Sequence, residues 1–438
     1  MKKHFCFLIT VVLVVSLGTL SGFSAHLSED VLSKKKEGYY VTGLPLVNYT
    51  SDDGFGYGVR AYLYNNGSKD DMYFDRAPYS MQLYAQYWAT TNGIQYHELN
   101  LDMPYVAGTK WRLKSNIAYD KSVNENFFGI GEENSHRKLT NFTGTKEFST
   151  YSGLMDYYED NKDESRYYHY TIFRPSGTFY LYRDITDELK LVLGTLARKN
   201  FITSWGGRDF NGDTQQPTLL DQQRAYLTDA AGGTLGGWIS MARIGFAYDT
   251  RDFEPDPHKG YYADYVCEIS NKVIGSDFDF VKHNVQAMYY VSPVSSLTFG
   301  GRAGYTTASG DIPFYEESCF GFANFRRVGD GGNRTLLGYK KNRFVAKTMT
   351  VGNLDARWKF TELSGGGQRF AFSVIGFVES GNVYDDAASP VTSPKWNYYH
   401  TSYGGGLVIA WNLSTIIHFL YGMSREDANI SIDFDHRF

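Results

Sequence analysis

Apolar and charged residues alternate with a period of two along most of this chain, in segments of about ten residues. Near the C-terminus Ile430, Ile432, Phe434 and Phe438 share one parity, and Ser431, Asp433, Asp435 and Arg437 share the other. Leu354, Ala356, Trp358 and Phe360 stand likewise against Asn353, Asp355, Arg357 and Lys359. Around Trp111 the apolar set is Trp111, Leu113, Ile117 and Tyr119, and the polar set is Arg112, Lys114, Asn116 and Asp120. A side-chain period of two belongs to a strand, whose successive residues face opposite ways. About ten residues is the length of a tilted strand crossing a bilayer. Helical periodicity is nearly absent after residue 38.

Two architectures share this pattern, a soluble sandwich and a membrane barrel. The outer face of a sandwich has no need of Trp, Tyr and Phe at its strand ends. A barrel in lipid does, because these rings sit at headgroup level while charges face a wet interior. Composition favours the barrel. The 438 residues include 36 Tyr, 30 Phe, 7 Trp and 45 Gly, the strand, turn and interface residues. Helical bundles and α/β enzymes draw on Leu, Ala, Glu and Lys instead, and disordered chains lack aromatics. Mean hydropathy is -0.38, and no run of about 18 apolar residues follows the N-terminus, which excludes a helical membrane protein. The net charge of -5 comes with no basic patch for nucleic acid.

The alternation predicts strands over 40–49, 54–64, 78–91, 94–103, 110–120, 167–183, 189–205, 238–248, 261–272, 279–292, 296–307, 351–360, 369–384, 398–411, 415–424 and 429–438. That is an all-β fold, a transmembrane antiparallel barrel of about 16 strands over residues 39–438. In such barrels both termini are periplasmic, so odd-numbered connections are external and long. The three longest, 121–166, 206–237 and 308–350, are the fifth, seventh and eleventh. The connection 65–77 departs from the rule, being even and long for a periplasmic turn.

The N-terminus sets the compartment. Lys2, Lys3 and His4 precede an apolar stretch from Phe5 to Leu17, and small residues follow at Ser21, Gly22, Ser24 and Ala25. This is the order of a secretory signal peptide, residues 1–25, cleaved near Ala25; the apolar stretch is short for an anchor. Residues 26–38, with Lys34, Lys35, Lys36 and Glu37, read as a solvated periplasmic tether, too short for a folded domain. The chain is therefore expected in a Gram-negative outer membrane. Its two remaining cysteines, Cys267 and Cys319, are too few for a disulfide scaffold.

Four segments carry a family resemblance. Gly331–Phe360 reads GGNRTLLGYKKNRFVAKTMTVGNLDARWKF, Gly245–Gly260 reads GFAYDTRDFEPDPHKG, Val374–Tyr384 reads VIGFVESGNVY, and Gly404–Asn412 leads into the last strands. Together they resemble the BamA/TamA-like superfamily of outer-membrane barrels, also called the bacterial surface antigen family. The resemblance implies a sixth external loop that carries an Arg-Gly-aromatic motif and returns into the lumen. Gly338 and Tyr339 match its Gly-aromatic pair, Arg343 and Phe344 a basic-Phe pair beyond it, and Asp355, Arg357 and Trp358 the strand that follows. The motif arginine itself falls at Leu337, which can bind no carboxylate. Two expectations follow. Either Glu379, at the family's acidic position, is paired by Arg334 or Arg343, or the loop packs loosely or lies outside.

The resemblance implies a non-catalytic role in outer-membrane assembly or transport. The family's protein-inserting members carry periplasmic POTRA domains, and this sequence reads as barrel alone, so a porin or small-molecule transporter is the alternative. A barrel enzyme ranks last. His400-Thr401-Ser402 puts a base and a hydroxyl on one strand face, a spacing that a phospholipase-like site would use. Asp249, Asp252, Glu254 and Asp256 read as a solvated turn rather than a calcium loop, and the ten histidines form no zinc pair, so no cofactor or metal is expected. The expected partners are outer-membrane lipid, a possible unknown periplasmic protein, and the barrel assembly machinery during insertion. For the last, Ile432, Phe434 and the terminal Phe438 resemble the signal it reads.

Overall fold

A computed structural model describes residue 27, residues 32–33 and residues 35–438, apart from 51–52, 231, 234, 324–331, 333, 366–367, 412–414 and 435–437. The expected signal peptide lies outside the described residues.

Sixteen strands form a closed antiparallel barrel. They are β1 (Tyr39–Thr50), β2 (Gly54–Asn65), β3 (Met81–Thr90), β4 (Ile94–Met103), β5 (Trp111–Asn126), β6 (His169–Phe173 and Ser176–Asp184), β7 (Leu189–Ser204), β8 (Gly237–Asp249), β9 (Gly260–Ser270), β10 (Phe280–Val294), β11 (Leu297–Gly310), β12 (Thr348–Gly365), β13 (Gln368–Tyr384), β14 (His400–Trp411), β15 (Thr415–Met423) and β16 (Ala428–Phe434). Each pairs with its neighbours in sequence, and β16 returns to β1. The segment expected as one strand over 167–183 is broken at Arg174 and Pro175. Proline has no N–H for the ladder, and the facing β5 slips register a little further on, between Ser122 and Glu125, opposite Thr171.

The barrel is inside-out relative to a soluble protein. On the outward parity Ile244, Leu354, Trp358 and Val378 are 49%, 65%, 55% and 51% exposed. On the inward parity Arg243, Glu268, Lys282, Asn284, Glu379 and Ser402 are all buried. Water would penalise the apolar outer face, which lipid accepts, and the buried inner charges keep their ionised state through partners in the lumen. The aromatic residues are not all girdle, however. Tyr40, Tyr64 and Tyr62 stack in series, Tyr84 meets Tyr62 at a tilt of 59°, and Arg60 of the inward parity lies over Tyr62 and Tyr84. A further set, Phe128, Leu139, Phe148, Leu154, Tyr158, Tyr167 and Tyr168, forms the core of an external cap built on the β5–β6 connection.

Two features at the periplasmic rim depart from expectation. The first is the supposed tether, which is docked rather than solvated. The Lys35 ammonium donates to the carbonyls of Phe74 and Ala77 at 2.6 and 2.8 Å and lies 3.7 Å over the Phe74 ring. Burial lowers its pKa to about 8. The long β2–β3 connection is the surface it docks on. The second is Phe438. The alternation puts it on the lipid face, but the ring is buried, stacked on Tyr290 of β10, whose hydroxyl donates to the Phe438 carbonyl at 3.0 Å. Among the described residues the strand runs to Phe434, and the alternation along it does not reach residue 438.

Among the described residues the seam between the first and last strands is short. β1 pairs with β2 from Tyr39↔Asn65 to Thr50↔Gly54, but among the described residues it meets β16 only at Tyr49↔Ile432 and Thr50↔Ser431.

Candidate functional site

The connection between β11 and β12, residues 311–347, is the sixth external loop, and it folds into the lumen in two limbs. Backbone groups in such a loop lose water and need partners, and so do the charges of the barrel wall. Each supplies the other.

The first limb runs through a helical turn, Phe314–Glu317, along the wall of β7 to β10. Arg198 of β7 pairs with Glu316, and both are buried. Lys282 of β10 donates to the carbonyl of Glu316 at 2.6 Å and also to that of Cys319. Arg243 of β8 holds Glu268 of β9, its partner in strand register, at 2.9 Å and donates to the carbonyls of Gly321 and Phe322 at 2.7 and 2.8 Å. Gly321 lies so close to Glu268 that a Cβ there would stand 2.4 Å from a carboxylate oxygen. Asn284 accepts the Gly321 N–H at 2.8 Å.

The second limb carries the residues singled out in the sequence. Leu337 has no charge to offer, yet its backbone N–H donates to Glu379 of β13 at 2.7 Å. Ser402 of β14 donates to the same oxygen at 2.6 Å, and Asn353 of β12 to the other at 3.1 Å. The Leu337 side chain packs with Ile375, Phe377 and Leu420, over Gly422, where a Cβ would stand 2.7 Å from its Cγ. Gly338 lies against the end of β15, where a Cβ would stand 2.6 Å from the Met423 carbonyl oxygen. Tyr339 meets Phe344 edge-on, and Phe344 stacks on His400 of β14 with centroids 3.5 Å apart. The loop is therefore seated, not loose or external.

The expected Arg343–Glu379 pair does not form. Arg343 instead binds Glu426 through two nitrogens, at 2.6 and 3.0 Å, and donates to the Arg137 carbonyl at 2.9 Å. The backbone turn after Tyr339 aims it at the external rim, away from β13. Two neighbours, missed in the sequence, behave alike. Lys340 reaches Asp427 at 3.3 Å and Asn429 at 3.1 Å, and Lys341 reaches Glu125 at 3.0 Å. Burial alone would lower the Lys341 pKa, but the Glu125 carboxylate outweighs it and the value is raised. The three bases thus grip the β15–β16 turn, residues 424–427, and the top of β5. The run Lys340, Lys341, Asn342, Arg343 was the available signal, but its acidic partners are over 80 and over 210 residues away in sequence.

The remaining candidates lie elsewhere. Arg334 reaches Asp433 at 3.5 Å, and its carbonyl takes Arg302 at 2.6 Å. Arg357 contacts Asp355 at 3.4 Å, but its other nitrogens hold Asp256 and the Pro257 carbonyl at 3.1 and 2.8 Å, so this pair braces the β8–β9 turn. Within that turn one Asp252 oxygen accepts the N–H groups of Phe253, His258 and Lys259. Among the described residues no group of His, Cys, Asp and Glu is arranged for a metal ion. Of the His-x-Ser pair, Ser402 is bonded to Glu379 and the ring of His400 is covered by Phe344. The Phe434 side chain lies outside what is described.

Glu317 provides a pH-dependent element. Burial raises its carboxyl to about 7 against the pull of Lys347 and Lys282. A carboxyl raised in the folded state binds more protons there than in the unfolded chain between about 4.5 and 7. Folding stability should therefore fall as pH rises through that window. Thermal unfolding of Glu317→Gln should lack this slope, and an unchanged slope would discount the assignment.

An apolar exterior, sixteen antiparallel strands and a sixth external loop folded into the lumen define an outer-membrane barrel. The chain belongs to the Omp85 superfamily, whose domain matches residues 81–430. This places it in the Gram-negative outer membrane. Residues 23–80 match a separate domain of unknown function, DUF5982, which covers the docked N-terminal segment, β1, β2 and the whole β2–β3 connection. Among solved structures, BamA from Haemophilus ducreyi lacking POTRA domains 1-3 is similar with a TM-score of 0.54 at 12% identity, over 92% of this chain and 71% of that one. CdiB from Escherichia coli is similar with a TM-score of 0.52 at 9% identity, over 90% of this chain and 62% of that one, so this chain spans less than two thirds of it. At these identities the likeness is one of fold. No curated protein matches the chain by sequence.

Proposed function

We propose that this barrel serves outer-membrane assembly or transport without catalysis of its own, with loop six as its plugging and moving part. The observation that carries this reading is the seat of the second limb. The Gly338–Tyr339 pair and Glu379 are engaged as a lumenal lock requires, through the Leu337 backbone. The contacts of Lys340, Lys341 and Arg343 tie the same limb to residues 424–427 and to Glu125 at the external rim. The seam between β1 and β16, two residue pairs long among the described residues, is the line at which such a barrel would open. Any periplasmic partner would act at the rim below this seam. The insertion signal, Ile432, Phe434 and Phe438, would be read before folding, because Phe438 is buried afterwards.

The alternative, a porin, needs an open lumen. Planar-bilayer recordings of the wild-type barrel should show low or flickering conductance, and replacing 311–347 by a short turn should give a stable open channel. Sustained open conductance in the intact protein would favour the porin. Phospholipid hydrolysis by the purified barrel, lost in Ser402→Ala, would overturn the non-catalytic reading.

A further inference from the structure

A full charge on the outward parity of a strand faces lipid, where it is tolerated only near the headgroups. Among the described residues the external half of that face on β4 to β8 carries two ammonium groups, Lys121 of β5 and Lys199 of β7, and no carboxylate. Lys121 stands in register with Gln95 of β4 and Phe173 of β6, and Lys199 with Trp238 of β8. Both lysines are half-buried. Among the described residues neither forms an ion pair, and the Lys199 ammonium lies 5.6 Å over the Trp238 ring.

Their height follows from the strands. Lys121 is ten residues above Trp111 on the same outward face, and Lys199 ten above Leu189. A rise of about 3.4 Å per residue at a tilt of about 40° makes that roughly 25 Å, the height of the lipid-facing apolar band. Both ammonium groups therefore sit at the external headgroup level. A row of rings crosses the wall there. Tyr87, His97, Tyr119, Phe173 and Phe201, one each on β3 to β7, meet in sequence with centroids 4.5 to 5.5 Å apart. Phe173 is in register with both Lys121 and Phe201, so the two lysines flank β6 with about 12 Å between their Cα atoms.

A single lysine at this level lifts its ammonium into water. Two lysines around one strand, set among rings and without an acid on their face, form instead a cationic site that lacks its anion. The anions at this depth of a membrane are headgroup phosphates. The span exceeds one phosphodiester and suits a sugar headgroup with phosphates at two positions. The aromatic row offers apolar surface to the sugar, and the exposed Gln95 a hydrogen-bonding amide. We infer that Lys121 and Lys199, with the rings between them, bind a phosphorylated glycolipid of the external leaflet. This holds whether the barrel assembles proteins or passes solutes, because it concerns the lipid face alone.

Native mass spectrometry of the full chain in detergent, titrated with bisphosphorylated lipid A, tests it. Wild type should retain the lipid, and Lys121→Gln with Lys199→Gln should bind it about tenfold more weakly or worse. Lys121→Arg with Lys199→Arg keeps the charges and should bind as wild type does. So should Arg183→Gln, which removes an outward charge at the periplasmic rim, 5.2 Å over Trp111. Lipid A stripped of its phosphates should bind wild type as weakly as intact lipid A binds the glutamine variant, a comparison that needs no variant to fold. Equal affinity of wild type and the glutamine variant, or of the two lipids for wild type, would overturn the site. Phosphatidylglycerol bound as tightly as lipid A would reduce it to a general attraction for anionic lipid. A dimer that depends on the two lysines and excludes lipid would assign the face to a second copy of the chain and overturn it as well.

Discussion

Arg243→Met should lower the unfolding free energy of the barrel by about 3–5 kcal/mol, the usual consequence of removing one partner from a buried ion pair. Arg243 and Glu268 are 3% and 0% exposed, and the guanidinium also holds two loop-six carbonyls. The methionine fills most of the volume but leaves the Glu268 carboxylate without its 2.9 Å counter-charge and two carbonyls without a donor. Heat-modifiable migration on gels, which separates folded from unfolded barrel, reads the change directly. The double variant Arg243→Met with Glu268→Met removes the stranded charge and should recover part of the loss. The carbonyl bonds stay lost, so recovery should be incomplete. A single variant as stable as wild type would mean that the first limb of loop six is not held by this pair.

The second large effect concerns the external rim. Arg343→Glu should set two carboxylates face to face across a site where the wild-type pair lies at 2.6 Å with Arg343 only 3% exposed. A cost of about 2–5 kcal/mol follows for a buried, hydrogen-bonded charge pair. It should appear as loss of the loop-six seat before loss of the barrel, so proteolysis within 332–347 should accelerate while the strands stay protected. Combining Arg343→Glu with Glu426→Arg restores opposite charges and should return the protection. The same swap made with Glu379 should not, because Glu379 is engaged by the Leu337 N–H and not by Arg343. Rescue through Glu379 instead would reverse the assignment made from the geometry.

These two variants also separate what the two limbs do. The first limb is held by groups deep in the lumen, Arg198, Arg243 and Lys282, each buried and each bonded to loop backbone or a loop carboxylate. The second is held near the rim by Lys340, Lys341 and Arg343, whose acids sit on loops and strand tops. The anchors of the second limb thus lie on the connections between strands rather than on the lumenal wall alone, and its grip on residues 424–427 ties it to the β15–β16 hairpin, one side of the seam.

The strands were legible in the sequence because their cause is local. Ile244 and Phe246 face lipid and Arg243 and Gly245 face inward for the same reason along all of β8, and period two records it residue by residue. The same local rule failed at Phe438, beyond the last described strand residue, and at Lys35, where a charged run suggested solvent but met two carbonyls 39 and 42 residues away. Gly338, Tyr339 and Phe344 were found because the loop motif is itself a short local pattern. Their partners were not, since nothing near Arg343 in the chain announces Glu426.

The sequence by itself therefore determined that the chain is a lipid-embedded barrel of sixteen strands and where its loops fall, because the solvent on each face selects every second residue. Only the tertiary structure decided how the lumen is filled. Strand register brings Arg243 beside Glu268, closure of the barrel brings Glu125 and Glu426 to loop six, and the absence of a charge at Leu337 is made good by a backbone N–H that no side-chain pattern encodes.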